Sequence, residues 1–224
     1  MDSSRIENCS VLSVDVVVMK IGIIGLQGAV SEHIEAVKQA MHKLGIDGEA
    51  VWVGRPEQLD GVDGIIIPGG ESTTIGKLML TTGLLEKVKR VAAGGTPILG
   101  TCAGLITLAK RGDESVRRTK QPLLGLMDIG VVRNAFGRQR ESFEVDLEIP
   151  ALGKEPLRCV FIRAPAVEEA GRGVDVLAEF KGKIVAVQQG KLIGVAFHPE
   201  LTQDTRLHEY FLRLCQQKSH HTKL

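Results

Sequence analysis

Apolar and polar positions alternate differently in the two halves of the chain. In the first half, short continuous apolar runs close on glycine and are followed by apolar positions at helical spacing. "KIGIIGLQG" (20–28) has the form of a buried strand. Val30, Ile34, Val37, Met41 and Leu44 then mark one face of a helix over 30–44. "EAVWVG" (49–54) and "GIIIPGG" (64–70) predict two more strands, and helical patterns follow near 73–80 and 83–93. "TPILGT" (96–101) predicts a fourth strand and 103–110 its helix. Strands that alternate with helices in this way build right-handed βαβ units, with helices over both faces of a parallel sheet.

The second half reads as strands at short spacing: 130–134, 142–149, 157–164, 174–180, 183–189 and 192–197. Lys181-Gly182-Lys183 and Gln189-Gly190-Lys191 have the form of hairpin turns, so an antiparallel piece is expected beside the parallel sheet. A last helix over roughly 203–217 turns Leu207, Tyr210, Phe211 and Leu214 to one face. The expected class is α/β: a three-layer αβα fold with a flavodoxin-like, mostly parallel sheet and an added antiparallel portion. No linker rich in Pro, Gly or Ser interrupts it. One domain is expected over 19–218, preceded by an extension (1–18) and followed by a flexible tail (219–224).

Composition narrows the partners. The chain has 224 residues, 43% of them hydrophobic, enough for a substantial core. Lys+Arg number 28 against Asp+Glu 27, a net charge of +1, which argues against a nucleic-acid binder or a protein of anionic membrane surfaces. The N-terminal apolar run is broken by Asp15 and Lys20, lacks a basic leader, and falls short of the ~20 residues of a membrane span. Cys9, Cys102, Cys159 and Cys215 show no metal-ligand spacing, which suggests a reducing, cytoplasmic setting. His220 and His221 in the tail read as solvated.

Chemistry concentrates at three strand ends. Gly100-Thr101-Cys102-Ala103-Gly104 has the form of a nucleophile elbow with sulfur in place of oxygen. The glycines allow a sharp strand-to-helix turn. The helix start aims free N–H groups and its positive dipole end at the thiol, a setting that favours thiolate, and the Ala103 N–H is placed to serve an oxyanion. Cys102 also fits a small buried apolar side chain at a tight packing point. "AFHPEL" (196–201) supplies a partner: in an extended segment His198 and Glu200 face the same way, and the acid can orient the imidazole. A strand-end histidine beside a solvated glutamate is the plainer reading. His33, His42 and His208 fall in helical patterns and are expected at the surface. "IIIPGGEST" (65–73) ends a strand in a glycine pair able to form an anion-accepting nest, or a plain turn with Ser72 as N-cap. "GLQG" (25–28) ends the first strand at the same edge but lacks a dinucleotide fingerprint.

Together, "GLQGAVSEH" (25–33), "PGGESTT" (68–74), "GTCAGLI" (100–106), "RNAFGRQ" (133–139), "SFE" (142–144), "FIRAP" (161–165) and "FHPELT" (197–202) resemble the class I glutamine amidotransferases. The similarity is closer still to the glutaminase subunits of two-component pyridoxal 5′-phosphate synthases, and it covers about 19–215. Ala135 stands where that pattern carries serine, and 1–18 lie outside it. The resemblance implies Cys102 as nucleophile and His198 with Glu200 as its relay. It implies glutamine contacts from Gly70, Glu71, Ser72, Arg133, Ile162 and Arg163. Gly70 and Ala103 are the expected oxyanion donors, and Gln27 a candidate gate. Arg133 and Arg163 suit a carboxylate through the guanidinium fork, though alone they read equally as surface charge. Arg138 and Arg140, with Arg117, Arg118 and Lys120, read as a solvated face or a partner surface. No metal or organic cofactor is expected. The implied substrate is L-glutamine, and the implied partner is a synthase subunit of the PdxS/SNZ type that accepts ammonia. A stand-alone thiol hydrolase of the γ-glutamyl or DJ-1 type, and a non-catalytic binding module, are the competing readings.

Overall fold

The computed structural model describes residues 18–136 and 142–217. The N-terminal extension with Cys9, the basic residues Arg138 and Arg140, and the tail with His220 and His221 lie outside the described residues. In chain order the elements are β1 (Met19–Ile24), α1 (Val30–Leu44), β2 (Gly48–Val53), β3 (Gly64–Ile67), α2 (Ser72–Thr81), α3 (Leu84–Ala93), β4 (Ile98–Thr101) and α4 (Ala103–Leu108). There follow β5 (Ala109–Gly112), α5 (Glu114–Arg118), β6 (Met127–Val132), β7 (Phe143–Leu147), β8 (Leu157–Phe161) and β9 (Ala166–Ala170). The last are β10 (Asp175–Phe180), β11 (Lys183–Gln189), β12 (Leu192–Val195) and α6 (Arg206–Gln216).

One large sheet runs β2-β1-β3-β4-β12-β11-β9-β6-β5, with β10 paired to β11. The first five strands in that order are mutually parallel, whereas β11 is antiparallel to β12, β9 and β10. The expected division into a parallel half and an antiparallel addition is therefore present. Ile21, Ile23, Ile65, Ile66, Ile67, Ile98, Leu99, Ile193 and Val195 are wholly buried, which is why these strands read as unbroken apolar runs. Register aligns Ile67 with Gly100 and Val195 with Thr101, so β3, β4 and β12 end at one level. The segments after them, which carry Gly69, Cys102 and His198, emerge side by side.

Several boundaries differ from expectation. The helix expected over 103–110 stops at Leu108, where Ala109 turns extended and the chain enters β5 to pair with β6. Neither β9 nor the one-turn helix α5 shows in the periodicity. Strand β9 has three exposed residues out of five, and its extended form comes from pairing with β6. β6 itself begins at Met127, earlier than the expected 130–134. The hairpin β7–β8 stands apart from the main sheet and is tied to it by aromatic packing. Phe161 stacks on Phe143 at 4.8 Å between centroids and meets Phe136, Phe180 and Phe197 at 5.7–5.9 Å. Because Ile162 and Arg163 follow Phe161 directly, this cluster sets where they sit. Phe161 is fully buried, so Phe161→Ala is expected to destabilise the protein by about 3–5 kcal/mol, read as a lowered midpoint in a urea titration. The conservative Phe161→Leu should lose less.

Candidate active site

Cys102 occupies the turn between β4 and α4 with φ 48° and ψ −100°, a conformation that side-chain-bearing residues rarely adopt. The backbone holds it there from both sides: Cys102 N–H donates to Val195 O at 2.8 Å, and Ile106 N–H donates to Cys102 O at 3.4 Å. The flanking glycines answer to contact. A Cβ at Gly100 would lie 2.7 Å from the Gly104 carbonyl, and one at Gly104 would overlap the Ile67 carbonyl of β3. The thiol is buried and lies 3.8 Å from the Ile162 carbonyl.

His198 follows β12. The expected extended H-x-E segment is instead a single 3-10 turn over Pro199–Leu201, with Pro199 at its first position and His198, at φ −110° and ψ 86°, just before it. The pairing survives this change, because the turn swings Glu200 back beneath the ring. His198 Nδ1 lies 2.8 Å from Glu200 Oε1, and the ring borders the same cleft as the Cys102 thiol. Burial is the largest influence on His198 and opposes its charge. The hydrogen bonds and negative charges of Cys102 and Glu200 together outweigh burial and raise its pKa to about 10. A Cβ on Gly69 would sit 2.9 Å from His198 Nδ1 and 3.3 Å from Cys102 Cβ, so glycine there lets the two side chains meet.

Above this chain of contacts is a cleft of about 280 Å³. Gly70, Glu71, Ser72, Cys102, Ala103, Arg133, Ile162, Arg163 and His198 all line it, together with Ile106 and Asn134, which sequence reasoning did not single out. Glu200 lies behind His198 and Gln27 to one side. Gln27 Oε1 accepts the Glu71 N–H at 2.7 Å and approaches Gly70, whose φ of 156° suits glycine. Ser72 is not the cap of α2. Glu71 takes that position, its carboxylate accepting from the N–H groups of Thr73 and Thr74, and Ser72 Oγ donates to Gln121. Glu71 is exposed at the cleft rim, and desolvation is the largest single influence on it and opposes its charge. The hydrogen bonds from Thr74 and Thr73 together outweigh it and draw its pKa down to about 2. Arg133, expected to be free for a carboxylate, bonds Glu71 Oε1 at 3.2 Å and Thr73 Oγ1 at 3.1 Å.

The expectation of surface histidines holds for His42 and fails for His33 and His208, both wholly buried. The inward stripe of α1 is Val30, His33, Val37 and Ala40, which leaves Ile34 only partly covered. On α6 the stripe is Leu207, His208, Phe211, Leu212 and Cys215. In both helices the true face is rotated to include a histidine three or four residues from buried apolar neighbours. That spacing was the available signal. Among the described residues no group of three or more His, Cys, Asp or Glu side chains is arranged to hold a metal, and no helix is long and apolar enough to cross a membrane.

Comparison with known proteins shows which family the chain resembles. The model of the SNO glutamine amidotransferase family matches residues 23–217. A protein of Archaeoglobus fulgidus named pyridoxal 5′-phosphate synthase subunit PdxT is 53% identical over 196 residues, 88% of this chain and 98% of the relative. One of the same name from Thermococcus onnurineus is 55% identical over 87% of this chain and 98% of its own length. A crystal structure described as a glutamine amidotransferase superposes with a TM-score of 0.78 at 47% identity, covering 88% of this chain and 98% of that one. A glutamine amidotransferase of Thermotoga maritima, 15% identical over 91% of this chain and 86% of its own, shares the fold with a TM-score of 0.57.

The buried histidines predict acid sensitivity. Burial holds His208 down to about 4, and burial, with the charges His208 and His198 can carry, holds His33 well below 6.5. Between pH 6.5 and 4 the unfolded chain therefore binds protons at both rings that the folded chain refuses. Stability falls with pH across that window by about 1.4 kcal/mol per pH unit per histidine. His198 is raised instead, so its contribution is complete below 6.5 and disappears only as pH rises through about 10. Denaturant titrations at stepped pH should show the acid slope, and His208→Gln should reduce it by about one proton's worth.

Proposed function

This chain belongs to the SNO glutamine amidotransferase family, and from that premise we propose that it is the glutaminase subunit of a two-component pyridoxal 5′-phosphate synthase. It hydrolyses L-glutamine to L-glutamate and ammonia and passes the ammonia to a synthase subunit of the PdxS/SNZ type. The observation that carries this reading is the buried chain of contacts Cys102–His198–Glu200 at the floor of a cleft bordered by Glu71, Arg133 and Arg163.

The chemistry follows from the positions. Cys102 Sγ attacks the side-chain carboxamide carbon of glutamine, and the carbonyl electron pair moves onto oxygen. The Ala103 N–H, at the open end of α4, and Gly70 receive that oxyanion. His198 is held protonated at neutral pH by its two neighbours and gives its proton to the departing nitrogen, leaving a γ-glutamyl thioester. Neutral His198 then takes a proton from water, the hydroxide adds to the thioester, and glutamate leaves as the thiolate and the imidazolium re-form. Glu200 holds the ring and stabilises its charge throughout. The ionised Glu71 faces the substrate α-ammonium group, and Arg133 and Arg163 its α-carboxylate.

Free ammonia is mostly protonated near neutral pH, so handover to the synthase is direct. Docking also controls hydrolysis. Gln27 grips the Glu71 N–H, so displacement of the 25–28 turn by a partner is transmitted to Gly70 and completes the oxyanion site. A cytoplasmic location suits Cys102, Cys159 and Cys215, which form no disulfide among the described residues.

Glutamate release, measured with and without the synthase subunit, is the test. Cys102→Ala is expected to abolish it, with kcat down about 10³-fold or more, while the melting temperature stays near wild type. Cys159, whose thiol burial pushes up to about 12, should tolerate Ala with activity kept. His198→Asn should approach the loss of the thiol, and Glu200→Gln should cost less because an imidazole remains. Hydrolysis of γ-glutamyl peptides in preference to glutamine, or equal rates with and without a bound partner, would favour a stand-alone hydrolase.

A further inference from the structure

Behind the reacting groups lies a second polar layer. Glu200 gives Oε1 to His198 at 2.8 Å, while its other oxygen, Oε2, is buried and makes no hydrogen bond of good geometry among the described residues. His33 Nε2, on α1, lies 3.3 Å from that oxygen and 3.1 Å from Thr101 Oγ1, the residue before the nucleophile. His33 Nδ1 lies 3.1 Å from His208 Nε2 on α6. All five side chains are buried.

The protons can be assigned by satisfaction. If His33 carried its proton on Nδ1, it would donate to His208 Nε2. His208 would then hold a buried N–H on Nδ1, an atom with no partner. The bare His33 Nε2 would also face the Glu200 carboxylate, lone pair against lone pair. With the protons on Nε2 of both rings, His208 donates to His33 Nδ1, and the His33 Nε2–H donates to Thr101 Oγ1 while turning its positive end toward Glu200 Oε2 at 3.3 Å. Every ring N–H then has an acceptor, and the unmet groups are the His208 Nδ1 lone pair and the Thr101 hydroxyl proton. Each arrangement leaves one buried donor unpaired, but only the first sets a bare ring nitrogen against the carboxylate, so the second wins.

We propose that His33 is a positioning residue for the reaction: its Nε2–H holds Glu200 Oε2 and so aims Oε1 at His198 Nδ1, with His208 fixing the His33 tautomer from behind. This rests on the reading of Cys102, His198 and Glu200 as the reacting set. The neutrality that the arrangement requires agrees with the burial that keeps both rings from protonating. The groups that face Glu200 are His33 from α1, Thr101 from the end of β4, His198 from its own turn and, one ring further, His208 from α6. Glu32 and Glu35 of α1 line a cavity that also reaches Glu200, so the nearby solvent side is acidic and offers the carboxylate no compensating cation. That leaves the His33 N–H as the compensation for Oε2.

The test compares three substitutions in the complex with the synthase subunit. Gln places an amide N–H near the position of a histidine Nε2, whereas Asn stops short of it and Leu has none. His33→Gln should keep most of kcat. His33→Asn and His33→Leu should each lower kcat about tenfold with KM for glutamine little changed. They should also move the acid limb of the kcat/KM profile to higher pH, because a buried carboxylate with one donor fewer more readily takes a proton. The low-field Nδ1–H resonance of His198 should persist in His33→Gln and shift or vanish in His33→Asn. This readout needs no substrate, so it still tests His33 if the wild-type complex fails to hydrolyse glutamine, a failure that would fall on the proposed function instead. If His33→Leu does not fold, the Gln and Asn pair decides. Equal kcat, an equal acid limb and an unmoved His198 resonance in Gln and Asn variants would overturn the positioning role.

Discussion

The site depends on one close approach: the α carbon of Gly104, in the first turn of α4, lies against the carbonyl of Ile67 at the end of β3. No side chain fits between them. With a Cβ there, α4 would have to lift away from the sheet and Cys102 would leave the level of Gly69 and His198. The strain of Cys102, at φ 48°, is of the order of 1–3 kcal/mol for such a conformation, and it is held by bonds that belong to the fold. Its N–H is taken by Val195 on β12 and its carbonyl by Ile106 on α4. The parallel register of β3, β4 and β12 therefore does two jobs: it buries the apolar sheet and it brings three loops to the same height.

What could be read from the chain follows the same physics. The buried parallel strands were legible because burial on both faces leaves an unbroken run of Ile, Val and Leu, as at Ile65–Ile67. The elbow was legible because a tight turn against a neighbouring strand demands glycine on either side of the nucleophile. His198 and Glu200 were legible as a pair, although the turn that joins them is 3-10 rather than extended. By contrast, β9 and α5 are specified by tertiary partners. Glu168 and Glu169 of β9 point to solvent, and α5 is announced only by the Asp113 cap. His33 and His208 were missed because polar type outweighed position. Taking the i+3 step from Val30 and the i−4 step from Leu212 would have turned both inward.

Three histidines within one connected set of contacts show how neighbours decide protonation. His33 and His208 are as buried as any apolar residue and have only neutral partners or a shared carboxylate contact, so desolvation dominates and keeps them uncharged. His198 is nearly as buried, but it touches Cys102 and Glu200 directly, and two acidic neighbours reverse the outcome. Burial alone does not predict charge. The number of anionic contacts does, and of the three rings only His198, the proton donor of the proposed reaction, has two.

The rim of the cleft carries a comparable double use. Glu71 caps α2 through Thr73 and Thr74 and at the same time holds the Arg133 guanidinium. The cap bonds, at 2.7 and 3.1 Å, come from backbone N–H groups of α2 and keep the carboxylate ionised, so Glu71 has little freedom to move. Arg133 has more, since both its partners here are side chains and its 3.2 Å bond to Glu71 is long for a charged pair. A carboxylate entering the cleft can therefore draw Arg133 toward itself without unmaking the cap. In that arrangement a fixed anion and a movable cation stand at the rim of one cleft, which is the charge pattern an α-amino acid presents in reverse. The helix cap supplies the rigidity and the arginine supplies the adjustment. On the proposed reading the same carboxylate serves both the stability of α2 and the recognition of substrate, and substitution of Glu71 is expected to affect both.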